Sequence, residues 1–156
     1  PVEIEVVEDD IKIDEELVFE ERDTELKEIE FEEEEVDEVF FFAVVENPPI
    51  FYNCDKNSSR EEKSTCFQKG IVEHIVKNFE YPIIAKEMGV QEKIFVQFDI
   101  DKEGYISNSK VLRGEDKHLK EEAIRLIESL PKLIPATQRG RPVSVKYTIP
   151  ITFTLQ

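Results

Sequence analysis

Long apolar runs and metal-binding side chains are both scarce in this 156-residue sequence. The longest apolar run is the short stretch Val39–Val45, far below the 18 or more residues that a membrane-spanning helix needs. The only cysteines are Cys54 and Cys66, and the only histidines are His74 and His118. Because four closely spaced zinc ligands are lacking, we predict no metal site, and nothing in the sequence indicates a cofactor.

Catalytic residue sets are missing as well. On a helix, the eight residues from Cys66 to His74 span roughly 11–12 Å, which is too far for a thiol–imidazole pair. The stretch Asp99–Gly104 begins like a calcium loop, but Lys110 stands where the bidentate acid is required, so a hairpin turn is favoured. No glycine-rich phosphate loop or Ser/His/Asp set occurs. We therefore predict that the protein is not an enzyme.

Basic residues are scarce only in the first 40 residues of the chain. Residues 1–40 hold 20 acidic and three basic residues, a net charge of −17, whereas residues 41–156 hold 16 acidic and 17 basic residues. The formal charge of −16 thus belongs to an acidic arm attached to a nearly neutral domain. Neither part has the basic excess that binding to a phosphate backbone requires, which argues against a nucleic-acid partner.

The two cysteines are close in sequence and have no metal or catalytic role to explain them. We predict a disulfide between Cys54 and Cys66, with free thiols as the less favoured alternative. A disulfide is typical of a compartment outside the cytosol.

The acidic arm alternates apolar and acidic residues, as in Val2–Val6, a pattern that is typical of strands. Like charges on neighbouring strands repel, and the arm has little apolar surface to offset its ordering entropy. We interpret residues 1–40 as an extended linker. The alternative is that part of the arm adds an edge strand to the domain or to another copy.

Patterns after residue 40 predict an α+β domain with a small three-stranded antiparallel sheet and two main helices packed on one face. A capping box at Ser59 opens a helix over roughly 60–79, and Pro82 starts a second, short helix. The remaining elements follow in order: a hairpin with strands 94–100 and 105–112, a helix capped by Asp116 and ended by Pro131, and a strand over 143–155.

The last strand contains Pro150, which lacks an N–H group and therefore places the strand at a sheet edge. A long edge strand is a template for pairing that proteins normally protect. The sequence thus predicts a module that captures an extended peptide by strand addition.

With this order of elements, residues 79–156 resemble the C-terminal domain of TonB, the energy transducer of Gram-negative envelopes, in the form seen among Bacteroidetes. The resemblance lies in the segments Tyr81-Pro82, Phe98–Ile106, Val111–Gly114, Arg139–Val143 and Tyr147–Phe153. Two positions depart from the family pattern: Glu92 replaces a usual glycine, and Leu133 stands where many members have tryptophan.

The resemblance implies a function in nutrient uptake, such as siderophore transport. The domain would be periplasmic and anchored in the inner membrane by a helix outside this chain, and an ExbB/ExbD motor would supply energy from the proton-motive force. Its partners would be the TonB boxes of outer-membrane transporters. The contact residues would be Asn78, Phe79, Glu80, Tyr81, Val143, Ser144, Val145, Lys146, Tyr147 and Thr148.

The predicted organisation has three parts: an acidic periplasmic linker (1–40), a leading segment and first helix with the cysteine pair (41–78), and a TonB-like domain (79–156). An alternative function is a periplasmic interaction domain of the same fold with a different envelope partner. Pairing of two copies through their edge strands is also left open.

Overall fold

The computed structural model describes residues 2–6 and 38–155, which form three helices and six strands. The helices are α1 (Arg60–Asn78), α2 (Ile83–Glu87) and α3 (Lys117–Glu128). The strands are β1 (Val2–Val6), β2 (Val39–Phe41), β3 (Glu92–Ile100), β4 (Ile106–Arg113), β5 (Ala136–Gln138) and β6 (Arg141–Leu155).

The sheet is centred on β3 and β6. Strands β4, β3 and β6 pair antiparallel, as predicted, with β3 in the middle of the three. Three further strands pair with β6: β1 and β5 antiparallel, and β2 parallel. The α+β class is therefore confirmed, but a purely antiparallel sheet of three strands is wrong. The added strands β2 and β5 have only three residues each, too few for a periodic pattern to appear in the sequence.

One face of the sheet carries the core. The odd-numbered residues of β6 and the even-numbered residues of β3 point to the side on which all three helices pack. Phe67, Ile71 and Ile75 of α1 are fully buried there, at the four-residue spacing that predicted this helix. The ring of Tyr147 packs against Phe67 at a centroid distance of 5.1 Å.

The predicted helix starts match the structure closely. The Ser59 hydroxyl accepts a hydrogen bond from the Glu62 N–H, and the Ser59 N–H donates one to the Glu62 carboxylate, which completes the capping box of α1. Asp116 accepts from the Leu119 N–H at 2.9 Å and caps α3. Pro82 precedes α2 as its N-cap rather than lying in its first turn.

Two turns determine how β3, β4, β5 and β6 connect. Gly104 has φ +94° in the β3–β4 hairpin, and its carbonyl accepts a hydrogen bond from Leu133 at 2.8 Å. Arg139 and Gly140 both have positive φ, as a two-residue turn between antiparallel strands requires, so they form the hairpin turn between β5 and β6. Leu133, which stands where many family members have tryptophan, is fully buried in the core.

Within residues 2–6 and 38–155, no helix has both the length and the apolar composition to cross a bilayer. The same described residues hold no cluster of three or more His, Cys, Asp or Glu side chains suited to a metal ion.

Candidate strand-binding edge

The edge of β6 that faces away from β3 is defined by its even-numbered residues. The Phe42 N–H donates to the Lys146 carbonyl at 3.1 Å, so the backbone of Lys146 points away from β3. The register between β3 and β6 is unbroken from Val145 to Phe153, and backbone direction alternates along a strand. We call the row of backbone N–H and C=O groups that point away from β3 the outer edge. These groups belong to Ser144, Lys146, Thr148, Pro150, Thr152 and Thr154.

Pro150 points its missing N–H outward, as the strand-addition argument requires, but much of the outer edge is already paired. Strand β2 runs parallel to Ser144–Lys146, and β1 runs antiparallel to Ile151–Leu155. The expectation that the last strand is an uncovered sheet edge is therefore wrong for these two stretches. No described strand pairs with the outer edge at Thr148 and Pro150.

Side chains of the predicted contact stretch 143–148 divide between the two faces of the sheet. Val145 and Tyr147 are buried in the core, and Val143 packs against it. The even-numbered residues lie on the opposite face, where the Lys146 ammonium is 4.0 Å from the Asp99 carboxylate. On that face the Thr148 hydroxyl accepts a hydrogen bond from the Gln97 amide at 3.3 Å. A partner strand would therefore meet this stretch mainly through its backbone.

The second predicted contact segment, residues 78–81, lies near the other end of β6. The rings of Phe79 and Tyr81 pack against each other at 5.7 Å and against Phe153 at 5.5 and 6.2 Å. The Tyr81 hydroxyl donates to the Val90 carbonyl, and burial, reinforced by the charge of Asp116, raises the pKa of Tyr81.

The structure therefore does not bring the two predicted contact segments together. Residues 78–81 lie beside Phe153, whereas Lys146 is seven residues away along β6, roughly 23 Å in a strand. Sequence order cannot reveal this separation, because it depends on which end of β6 the end of α1 approaches.

A buried carboxylate holds the segment 78–81 in place. Glu122 of α3 is only 7% exposed and accepts hydrogen bonds from the Glu80 N–H at 2.8 Å and from the Arg125 guanidinium. Arg125 also donates to the Asn78 carbonyl at 2.9 Å. The hydrogen bond to Glu122 raises the pKa of Arg125, so the guanidinium stays charged. This pair was not predicted from the sequence, although the three-residue spacing of opposite charges on a helix is a signal for it.

A family model described as the Gram-negative bacterial TonB protein C-terminal matches residues 77–155, just over half of the chain. The chain belongs to the TonB C-terminal family. Membership supports a TonB-type role in energy transduction and transport, and the family is a transport-associated domain without enzymatic activity.

A solved structure of a TonB C-terminal domain, the solution structure from Helicobacter pylori, is similar to this chain. The two share 22% identity with a TM-score of 0.47, and the match covers 66% of this chain and 89% of the other. No protein among those with curated descriptions matches the chain.

In this TonB domain, the segment before α1 is clamped by Arg60. Its guanidinium donates to the carbonyls of Phe42, Ala43 and Val45 at 2.9–3.1 Å, which closes the turn that follows β2. Since β2 pairs with β6, Arg60 connects the start of α1 to the outer edge. No periodic or compositional signal in the sequence predicts this contact.

The predicted disulfide is present between Cys54 and Cys66, with a Cα–Cα distance of 6.2 Å. It joins the loop before α1 to the first turns of that helix. The ring of Phe51 in the same loop lies against Gly70, where an added Cβ would come within 2.4 Å of the ring. Loop and helix therefore form one packed unit.

Glu92 and His74 each connect two elements of the TonB domain. The Glu92 carboxylate, at the usual glycine position, accepts hydrogen bonds from the N–H groups of Glu115 and Asp116 at 2.9 and 3.0 Å. His74 is not simply a surface residue, since its Nε2 lies 2.9 Å from the Ser129 hydroxyl and 3.1 Å from the Leu126 carbonyl. Glu92 joins β3 to the start of α3, and His74 joins α1 to the end of α3.

Proposed function

We propose that this chain is the periplasmic part of a TonB-type energy transducer that binds the TonB boxes of outer-membrane transporters by strand addition to the outer edge of β6. An inner-membrane anchor outside this chain and an ExbB/ExbD motor would supply force from the proton-motive force. Nutrient uptake, for example of siderophores, would be the result.

The observation that carries this proposal is the pairing behaviour of the outer edge. It accepts one strand in parallel, β2, and one in antiparallel orientation, β1, so its geometry suits added strands of either direction. Each main-chain hydrogen bond to an added strand contributes roughly 0.5–1.5 kcal/mol. Strand addition of this kind recognises an extended peptide mainly by its backbone.

Residues 78–81 are proposed as a second contact, beside the Phe153 end of the edge. The Glu122–Arg125 pair holds the backbone of this segment, while the Glu80 side chain remains exposed to a partner. Residues 1–40 are proposed as an acidic spacer that, fully stretched, reaches about 130 Å at roughly 3.3 Å per residue.

Thr148 provides a direct test, because its N–H points to the outer edge where no described strand pairs. The test measures the affinity of transporter TonB-box peptides for the wild type and for two variants. Thr148→Pro removes the N–H, and we expect it to weaken binding roughly 2- to 12-fold, the equivalent of one hydrogen bond.

Thr148→Val is the matched control, since it removes the hydroxyl bonded to Gln97 but keeps the backbone donor. Equal affinities of both variants would exclude backbone pairing at this position. Failure of the wild-type chain to retain intact outer-membrane transporters in co-purification would contradict the proposed function as a whole.

A further inference from the structure

The outer edge of β6 is paired, at its C-terminal end, with the N-terminal strand of the same chain. Strand β1 runs antiparallel to β6, with Val2 opposite Leu155, Ile4 opposite Phe153 and Val6 opposite Ile151. The same stretch of β6 pairs with β3 on its other side, so β1 completes the backbone pairing at this end. A transporter peptide that added to this stretch would need the positions that β1 holds.

The register also gives the backbone direction of β1. Thr152 and Thr154 point outward and lie opposite Glu5 and Glu3. In an antiparallel ladder, residues opposite each other with backbones facing exchange both hydrogen bonds. The N–H groups of Glu3 and Glu5 therefore face β6, whereas the N–H of Ile4 faces away from it.

Strand β1 is held in the sheet less firmly than the central strands. Among the described strands, β1 pairs only with β6, and in sequence it is separated from β2, the next described strand, by residues 7–38. A short strand at the end of a long connection is held by few hydrogen bonds and opens more readily than a central strand. The edge that it covers can thus be freed without disturbing the pairing of β3 with β6.

We propose that β1 is an intramolecular competitor that covers the outer edge at Ile151–Leu155 and that a transporter strand must displace. This inference rests on the proposed function, since it assigns a regulatory strand to the same binding edge. A competitor that occupies the edge nine tenths of the time weakens the apparent affinity of a peptide about 10-fold.

The test compares four forms of the full chain: wild type, Glu5→Pro, Glu5→Gln and Ile4→Pro. Glu5→Pro removes a donor that faces β6 and a charge, while Glu5→Gln removes the charge alone. Ile4→Pro places a proline where the N–H faces away from β6, a position that an edge strand tolerates. Equal unfolding midpoints would show that all four proteins keep the same fold.

The first measurement is amide hydrogen exchange at Thr152 and Thr154, which needs no transporter. We expect exchange on the order of 10-fold faster in Glu5→Pro than in the other three proteins. Equal exchange in all four would overturn the assignment of β1 as the cover of this edge.

The second measurement is the affinity of a TonB-box peptide from an outer-membrane transporter. We expect binding about 10-fold tighter to Glu5→Pro than to wild type, with both controls close to wild type. Equal affinity for wild type and Glu5→Pro would overturn the competition even if the exchange rates differ. Binding to none of the four proteins would instead overturn the proposed function, and the exchange rates alone would then decide whether β1 covers the edge.

Discussion

Gly104 is the residue at which backbone conformation and packing constrain the side chain most tightly. Its φ of +94° is unfavourable for any other residue, and a Cβ at this position would lie 1.8 Å from the Leu133 carbonyl oxygen. The Leu133 side chain is itself fully buried. The β3–β4 hairpin and the segment after α3 can therefore meet only through a glycine.

We expect Gly104→Ala to lower the free energy of unfolding by at least about 3 kcal/mol, since strain and overlap add. Gly89→Ala is the matched control, because Gly89 also has positive φ, +67°, but no atom lies within 4 Å of its added Cβ. It should cost only about 1 kcal/mol. Urea unfolding measures both values, and similar losses would mean that the contact with Leu133 relaxes.

His74 should make stability depend on pH. Burial lowers its pKa below the usual 6.5; the Leu126 carbonyl opposes this shift, and the charges of Lys77 and Arg125 add to it. Because the unfolded chain then binds the proton more tightly, this contribution to stability is present above pH 6.5 and is lost as the pH falls through the folded pKa.

The measurement is the unfolding free energy of wild type and His74→Gln at about pH 5 and pH 8. We expect the difference between the two pH values to be smaller in the variant, since the remaining groups titrate in both proteins. An unchanged difference would show that the histidine makes no net contribution.

At the level of elements, the loop before α1 depends on a covalent link as well as on packing. The disulfide joins residues separated by 12 positions, and closure of such a loop stabilises a fold by about 3 kcal/mol in the chain-entropy account. We expect the Cys54→Ser/Cys66→Ser double variant to lose about this amount in chemical unfolding. Wild type with reductant should fall to the same value, and an unaffected variant would mean that packing at Phe51 alone holds the loop.

Elements with strong periodicity could be predicted from the sequence, and those without it could not. Helix α1 and strand β6 have regular apolar patterns in their sequences, over 19 and 15 residues, and both match their predictions closely. Strand β2 is three residues long and parallel to its partner, so neither length nor pattern indicates it. The edge was predicted from Pro150 and a strand from the arm only as the less favoured alternative, while β2 was not predicted, because strand pairing across the whole chain leaves no local signal.

At the level of the whole molecule, the core residues of the described segment 38–155 run in sequence from Phe42 to Phe153. The predicted division of the chain at residue 40 remains a prediction, since residues 7–37 lie outside the described residues. The pairing of Val2–Val6 with β6 matches the alternative in which part of the arm adds an edge strand.

We expect deletion of residues 1–37 to shift the thermal unfolding midpoint by no more than about 5 °C, because β1 lies at the edge of the sheet and the net charge of −17 in residues 1–40 opposes compaction. Calorimetry of the two chains measures the shift. A drop of more than about 10 °C would mean that the arm contributes to the folded core.

The position of β6 in the chain determines when the sheet can assemble. This strand pairs with β1, β2, β3 and β5, and all four precede it in sequence. A chain that emerges from a translocation channel with its N-terminus first would expose these strands before their common partner arrives. Contacts as distant in sequence as Val2 and Leu155 form slowly, so β1 would be among the last elements to settle. Until residues 141–155 are available, the four earlier strands therefore lack their common partner and are prone to aggregate.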